Sequence, residues 1–347
     1  MLKNLAYTVP TLGRISIGEI TVKNGKRLPQ RLNHFKITAQ HKNEGEWAMH
    51  PLHKEVATKM GVAEDKVTEI PVRLMFNTPS LNMRERYEAF DRNGRIICAG
   101  DGETARQTCK GAINAVQCPG PDRCDFGLEN RCDVFARLNV QIEGQNDPLS
   151  SFILRTGSFN AVKTLREKLE MMHAYFGGRL VGVPLLLKLR QKSSSMSMQS
   201  KFYYVDLVLN KVSLAVAAKL ARDAEEGMKQ DGIDQQAFEQ AVMGGINNGG
   251  FEDSVENFEE LEEFIIGREM GDGGLPSTAA HDADQNENAS GSSDDPIVLP
   301  GSEDSGLSGL RNFLEQGGKE EIFVPVPPPE ETLKRVNGAN KTAPVGW

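Results

Sequence analysis

Four of the chain's five cysteines, Cys109, Cys118, Cys124 and Cys132, fall in one stretch rich in Gly, Pro and Asn, with little apolar material to fold it. A segment of this kind needs something other than a hydrophobic core to order it. Four thiolates closed tetrahedrally on Zn2+ would supply that, since structural zinc contributes roughly 10–16 kcal/mol of binding energy to folding. A complete thiolate set leaves no vacant position for water, so such a knot is structural and not hydrolytic. The spacing, C-x8-C-x5-C-x7-C, matches no common zinc template. Free or redox-active thiols therefore stay open as the alternative reading, and disulfides do not persist in a reducing compartment. Cys98 sits within the strand-like "RIICAG" and reads as a small buried hydrophobe outside the metal set. His50 and His53, three apart at a helix start, read as surface or capping residues.

At 347 residues the chain can bury a sizeable core without staples. Its longest apolar run, Leu180 to Leu189, is too short to span a bilayer and contains Lys188. The first fourteen residues carry no apolar h-region followed by a cleavage site, which sets the expectation of a cytoplasmic protein. The net charge of -8 is unevenly spread. Residues 1–210 hold 30 Lys+Arg against 21 Asp+Glu, a balance of +9, and residues 211–347 hold 10 against 27, a balance of -17. A basic body suits phosphates or an acidic protein face. The acidic remainder either solvates the chain or lies over that body.

Period-two alternation dominates the first 210 residues. "RISIGEITV" and "HFKITAQ" read as strands joined at Asn24-Gly25, and "TEIPVRLMFN" as another. "YEAFDRNGRIICAG" reads as a hairpin turned at Asn93-Gly94. After the cysteines, taken as a long loop, "FARLNVQI" and "SSFILRTG" form a further hairpin, and "LVGVPLLLKLRQK" pairs with "KFYYVDLVLN". Helical spacing appears at 50–61, ended by Gly61, and at 160–176, closed by Gly177-Gly178. Ser213 caps a helix reaching about Lys229, and a weaker helix covers Asp234 to Met243. The expected fold is thus α+β: an antiparallel, β-rich body over 1–210 carrying the zinc knot at 109–132, and a helical extension over 211–243. From 244 to 347 the composition is that of a disordered acidic tail. Two islands in it, "ENFEELEEFI" and "LSGLRNFLEQG", are read either as short docking motifs or as chance hydrophobicity.

"GDGETA" (Gly100 to Ala105) fits GxGxxA but lacks the following helix and parallel strand of a dinucleotide unit. No P-loop, GxSxG elbow or HExxH helix occurs, so no catalytic constellation and no small-molecule substrate site stands out. Basic and aromatic residues alternate at Arg84, Arg86 and Tyr87, and again at Lys201, Phe202, Tyr203 and Tyr204. These suit nucleic-acid contact or, equally, the outer face of ordinary strands.

"LGRISIG", "GKRLPQRLNHFKIT", the cysteine segment leading into "CDVFARLNVQI", "FILRTGSFNAVKTL" and "VGVPLLLKLR... FYYVDLVL" follow one another in order over roughly residues 10–210. In this the chain resembles the recombination directionality factor family of actinophages, whose relatives on integrative and conjugative elements carry the description "hydrolase or metal-binding protein". The resemblance implies a non-enzymatic accessory factor that binds a large serine integrase or another recombination protein and turns integration into excision, with DNA contacted indirectly. It implies Cys109, Cys118, Cys124 and Cys132 as ligands of a structural Zn2+. A nucleic-acid-binding DNA-processing factor and a metal-dependent hydrolase are the alternatives.

Overall fold

The computed structural model describes residues 8–23, 26–91, 94–193 and 202–246. Twelve strands and six helices occur among them, the mixed α+β class that the alternation implies. The tail expected over 244–347, with its two islands, lies outside the described residues beyond Ile246.

The strands are β1 (Thr11–Lys23), β2 (Lys26–Asn43), β3 (Glu46–Met49), β4 (Glu69–Arg73), β5 (Met83–Phe90) and β6 (Ile96–Gly100). They continue with β7 (Thr104–Cys109), β8 (Ala112–Gln117), β9 (Asp133–Ile142), β10 (Ser151–Thr156), β11 (Leu185–Lys192) and β12 (Phe202–Leu209). The main path of the sheet runs β3-β2-β1-β10-β9-β5-β6-β7-β8, with β4 joining β9 to the β11–β12 pair. Every described pairing is antiparallel except one: β1 and β10 run parallel, with Arg14 beside Ile153 and Ile15 beside Leu154.

Strand alternation divides the sheet into two faces. Ile15, Phe35, Ile37, Met83, Ala136, Leu138, Val140, Phe152 and Leu154 lie on one face and are all buried. The helix α4 (Phe159–Tyr175) adds its stripe of Val162, Leu165, Leu169 and Met172 to the same core. The helix α1 (Pro51–Met60) contributes Leu52, Val56 and Ala57. It starts at Pro51, where the missing N–H costs nothing, and ends at Gly61, whose φ of 66 is the left-handed cap the spacing predicts.

Ser213 caps α5 (Leu214–Gln230) by accepting from Val216 N, and α5 buries Ala217 and Ala221, one turn apart, in the main core. The last helix, α6 (Gln235–Ile246), belongs to a smaller cluster of Val9, Met75, Phe76 and Leu81, against which Phe238, Val242 and Ile246 pack. The helices following residue 210 thus share the apolar contacts of the body. No described helix is long and apolar enough to cross a membrane.

The cysteine stretch is not the long loop expected from its composition. Its first half is the β7–β8 hairpin, closed by Cys109 opposite Ala112 around Lys110 (φ 50) and Gly111 (φ 82). Positive φ at both central residues is the two-residue turn whose twist suits a hairpin. The second half holds a 3-10 turn at Pro121–Arg123 and the short helix α3 (Asp125–Glu129).

Candidate functional site

Two places in the fold gather chemistry-bearing side chains. The first is built where β6, the end of β8 and α3 meet. Cys98 and Gly100 are two apart on β6 and so share a face, with Cys98 opposite Ala89 and Gly100 opposite Ala105. Cys118 follows β8, its N–H bonded to Glu103 O at 2.9 Å, and its sulfur lies over that same face. Ala89, Cys98, Ala105 and Cys118 form one small buried cluster, against which Tyr87, Val116, Phe126 and Cys132 pack. Cys124 caps α3 by accepting from Gly127 N at 3.3 Å, and Cys132 N returns to Gly127 O at 2.8 Å.

Glycine makes this convergence sterically feasible. A Cβ on Gly100 would stand 2.7 Å from Cys118 Sγ and 2.8 Å from Ala105 Cβ. A Cβ on Gly127 would stand 3.2 Å from the Cβ atoms of both Cys124 and Cys132. Burial pushes the Cys98 thiol up to about 11, and the neighbouring Cys118 and Cys124 push in the same direction.

The four-cysteine set expected from spacing is therefore not one cluster. Cys118, Cys124 and Cys132 come together, and their fourth neighbour is Cys98. Cys109 is exposed and sits at the other end of the hairpin. Gln117, next to Cys118, pairs with Thr104, whereas Cys109 pairs with Ala112. Five residues of strand rise separate the two ends, roughly 17 Å, and ligands of a single zinc ion each lie only ~2.3 Å from it. Among the described residues, no three His, Cys, Asp or Glu side chains stand with their donor atoms already drawn into a metal-binding group.

Both candidate histidines make hydrogen bonds within the fold. His50 caps α1, accepting from Leu52 N at 3.2 Å. His53 is buried, with Nδ1 accepting from Ile37 N at 3.3 Å and Nε2 donating to Glu64 O at 3.0 Å. Both ring nitrogens are used by the fold in the neutral form, and burial holds this imidazole below its ordinary range.

The second place is the face of the sheet opposite the core. Arg84 on β5, Arg137 on β9 and Arg155 on β10 stand directly side by side, because Arg137 pairs with Arg84 on one flank and Arg155 on the other. Like charges in such a row repel unless they are compensated. Arg137 lies over the Phe135 ring at 4.6 Å and reaches Glu88 with two bonds of 2.8 and 2.9 Å. Both partners of this pair are buried. Arg14 on β1 lies on the same face, its guanidinium 4.3 Å above Trp47.

The basic-aromatic positions proposed for nucleic-acid stacking behave differently from that expectation. Arg84 is buried within this row, Tyr203 packs against the main core, and Lys201 lies outside the described residues. "GDGETA" is the β6–β7 turn, with Asp101 accepting from Glu103 N and Thr104 N, and leads into an antiparallel strand. It has no dinucleotide architecture.

Sequence reasoning placed Cys98 in the core because its neighbours are apolar. The Lys110-Gly111 turn was the available signal that the cysteine stretch begins as a hairpin, which moves Cys109 away from the others. A search of the curated proteins and a search of the solved structures return no match. A family model, Gp3-like, described as recombination directionality factor-like, matches residues 12–210, which run from β1 to the end of β12. That span is more than half of the sequence, and the chain belongs to the recombination directionality factor-like family.

Proposed function

We propose that this chain is an accessory factor of DNA recombination on a mobile element, which binds a recombinase of the large serine integrase class and biases it toward excision. The carrying observation is that the family match over residues 12–210 coincides with the whole twelve-stranded unit. The family supports a role in recombination, and the partner and the direction of the bias are our reading. The chemistry of the two gathered sites agrees with an adaptor. Cys98 and Cys118 are buried beside Ala89 and Ala105, and Arg137 of the guanidinium row is engaged by Glu88 and Phe135. Strand exchange then belongs to the recombinase.

Such a factor works by differential affinity. It must bind the arrangement of recombinase and DNA that leads to excision more tightly than the one that leads to integration. A near-complete reversal requires roughly 5.5 kcal/mol of difference between the two.

The test is a recombination assay with the integrase of the parent element on paired substrates. Adding the protein should turn on excision and suppress integration, and a gel shift should show it joining DNA only when the integrase is present. Unchanged direction in both assays would sink the proposal. Salt-sensitive binding to bare DNA would replace it with the DNA-processing reading.

A further inference from the structure

We propose that Cys98, Cys118, Cys124 and Cys132 form a four-thiolate site for a divalent metal ion of the zinc class, and that Cys109 stands outside it. The proposal is independent of the recombination reading. It replaces the ligand set that spacing suggests with the set the fold brings together.

Each thiol reaches the pocket from a different piece of backbone: the middle of β6, the residue after β8, the cap of α3 and the segment after α3. Two glycines stand where a side chain would crowd the cysteines. Gly100 leaves room for Cys118 over the Cys98 face, and Gly127 leaves room between Cys124 and Cys132. Gly127 also donates its N–H to Cys124 Sγ, a bond that suits a thiolate carrying charge. Small neighbours, Ala89 and Ala105, keep the space between the strands open to sulfur. A soft ion fits this donor set, which holds no carboxylate or imidazole.

On binding, each thiol gives up its proton and its sulfur takes a coordination position, so the four protons leave to solvent and the ion keeps its oxidation state. With four thiolates the shell is closed, and the site has no position for an activated water. Its effect is mechanical. It fastens the segment 118–132, which buries few apolar side chains, to β6 in the sheet.

The chain has five cysteines, so a single substitution decides the matter. The full-length Cys109→Ser protein, reconstituted with Co2+, retains only the four proposed ligands, and its absorption reports the number of bound thiolates. The expected result is a tetrahedral four-thiolate spectrum equal to that of the unsubstituted protein, with one ion per chain by elemental analysis. A three-thiolate spectrum or loss of the ion in Cys109→Ser would overturn the proposal. So would an unsubstituted protein that takes up no metal. A matched Cys132→Ser protein should lose the four-thiolate signature, and its retention there would equally count against the site.

Discussion

The buried pair of Glu88 and Arg137 sets the local energetics of the guanidinium row. Both oxygens of the carboxylate are bonded by the two terminal nitrogens, in a place where neither charge meets water. Removing one partner of such a pair leaves an uncompensated buried charge, which costs about 3–5 kcal/mol. Glu88→Ala should therefore lower the urea-unfolding free energy by about that amount, and replacing both residues by apolar side chains should cost much less. A loss below about 1 kcal/mol would mean that the pair behaves as though it were on the surface. His53 makes a second prediction at this scale. Its folded value is depressed by burial from 6.5, so its contribution is present above that value and is lost as pH falls below it. His34 and His50 are depressed in the same direction, also by burial first. The unfolding midpoint should fall between about pH 8 and pH 5, with a shallower fall in His53→Gln. An equal slope in that variant would remove His53 from the account.

Among the elements, α6 shows how little apolar contact a helix needs once a polar anchor is added. Glu239 accepts from Asn77 N at 2.6 Å, Thr78 N at 3.2 Å and Thr78 Oγ1 at 2.6 Å. Gln235 donates to Met75 O at 2.9 Å, and Phe238 stacks on Phe76 with ring centroids 5.4 Å apart. Glu239→Ala strands two backbone donors and a hydroxyl, for a cost of about 1–3 kcal/mol. The expected outcome is faster amide exchange across α6 with little change in β9 or β10, and uniform loss of protection throughout the sheet would contradict it. Elements of this kind were legible where local chemistry decides them. Gly61, Ser213 and the alternation of β9 and β10 each announce themselves. The β7–β8 hairpin did not, because Ala, Asn and Gln are weak strand formers and its turn is Lys-Gly instead of Asn-Gly. That missed element hid the separation of Cys109 from Cys118 along the hairpin.

At the scale of the molecule, the class, the four longer helices and most hairpins follow from the sequence, and the short helix α3 and the order of the strands do not. Hairpins are local, so turn residues specify them. The pairing of β1 with β10 joins Thr11 to Ser151, and nothing near either residue names the other. The same limit applies to the thiol pocket, where Cys98 meets cysteines twenty or more positions away only after three strands have folded. The guanidinium row was hidden for a related reason. Arg84, Arg137 and Arg155 are adjacent only through the register of three strands.

The parallel joint between β1 and β10 also orders events in time. On one side of it lie β1 to β3, joined as neighbouring hairpins, and on the other lie β10 and β9 followed by β5 to β8, where β5 to β8 are neighbouring hairpins and β9 pairs back to β5. The joint closes a span of about 140 residues, the kind of contact that makes folding slow. During synthesis the first block must wait on the ribosome with one edge of β1 bare until β10 has been made, and an edge left open for that long invites the wrong neighbour.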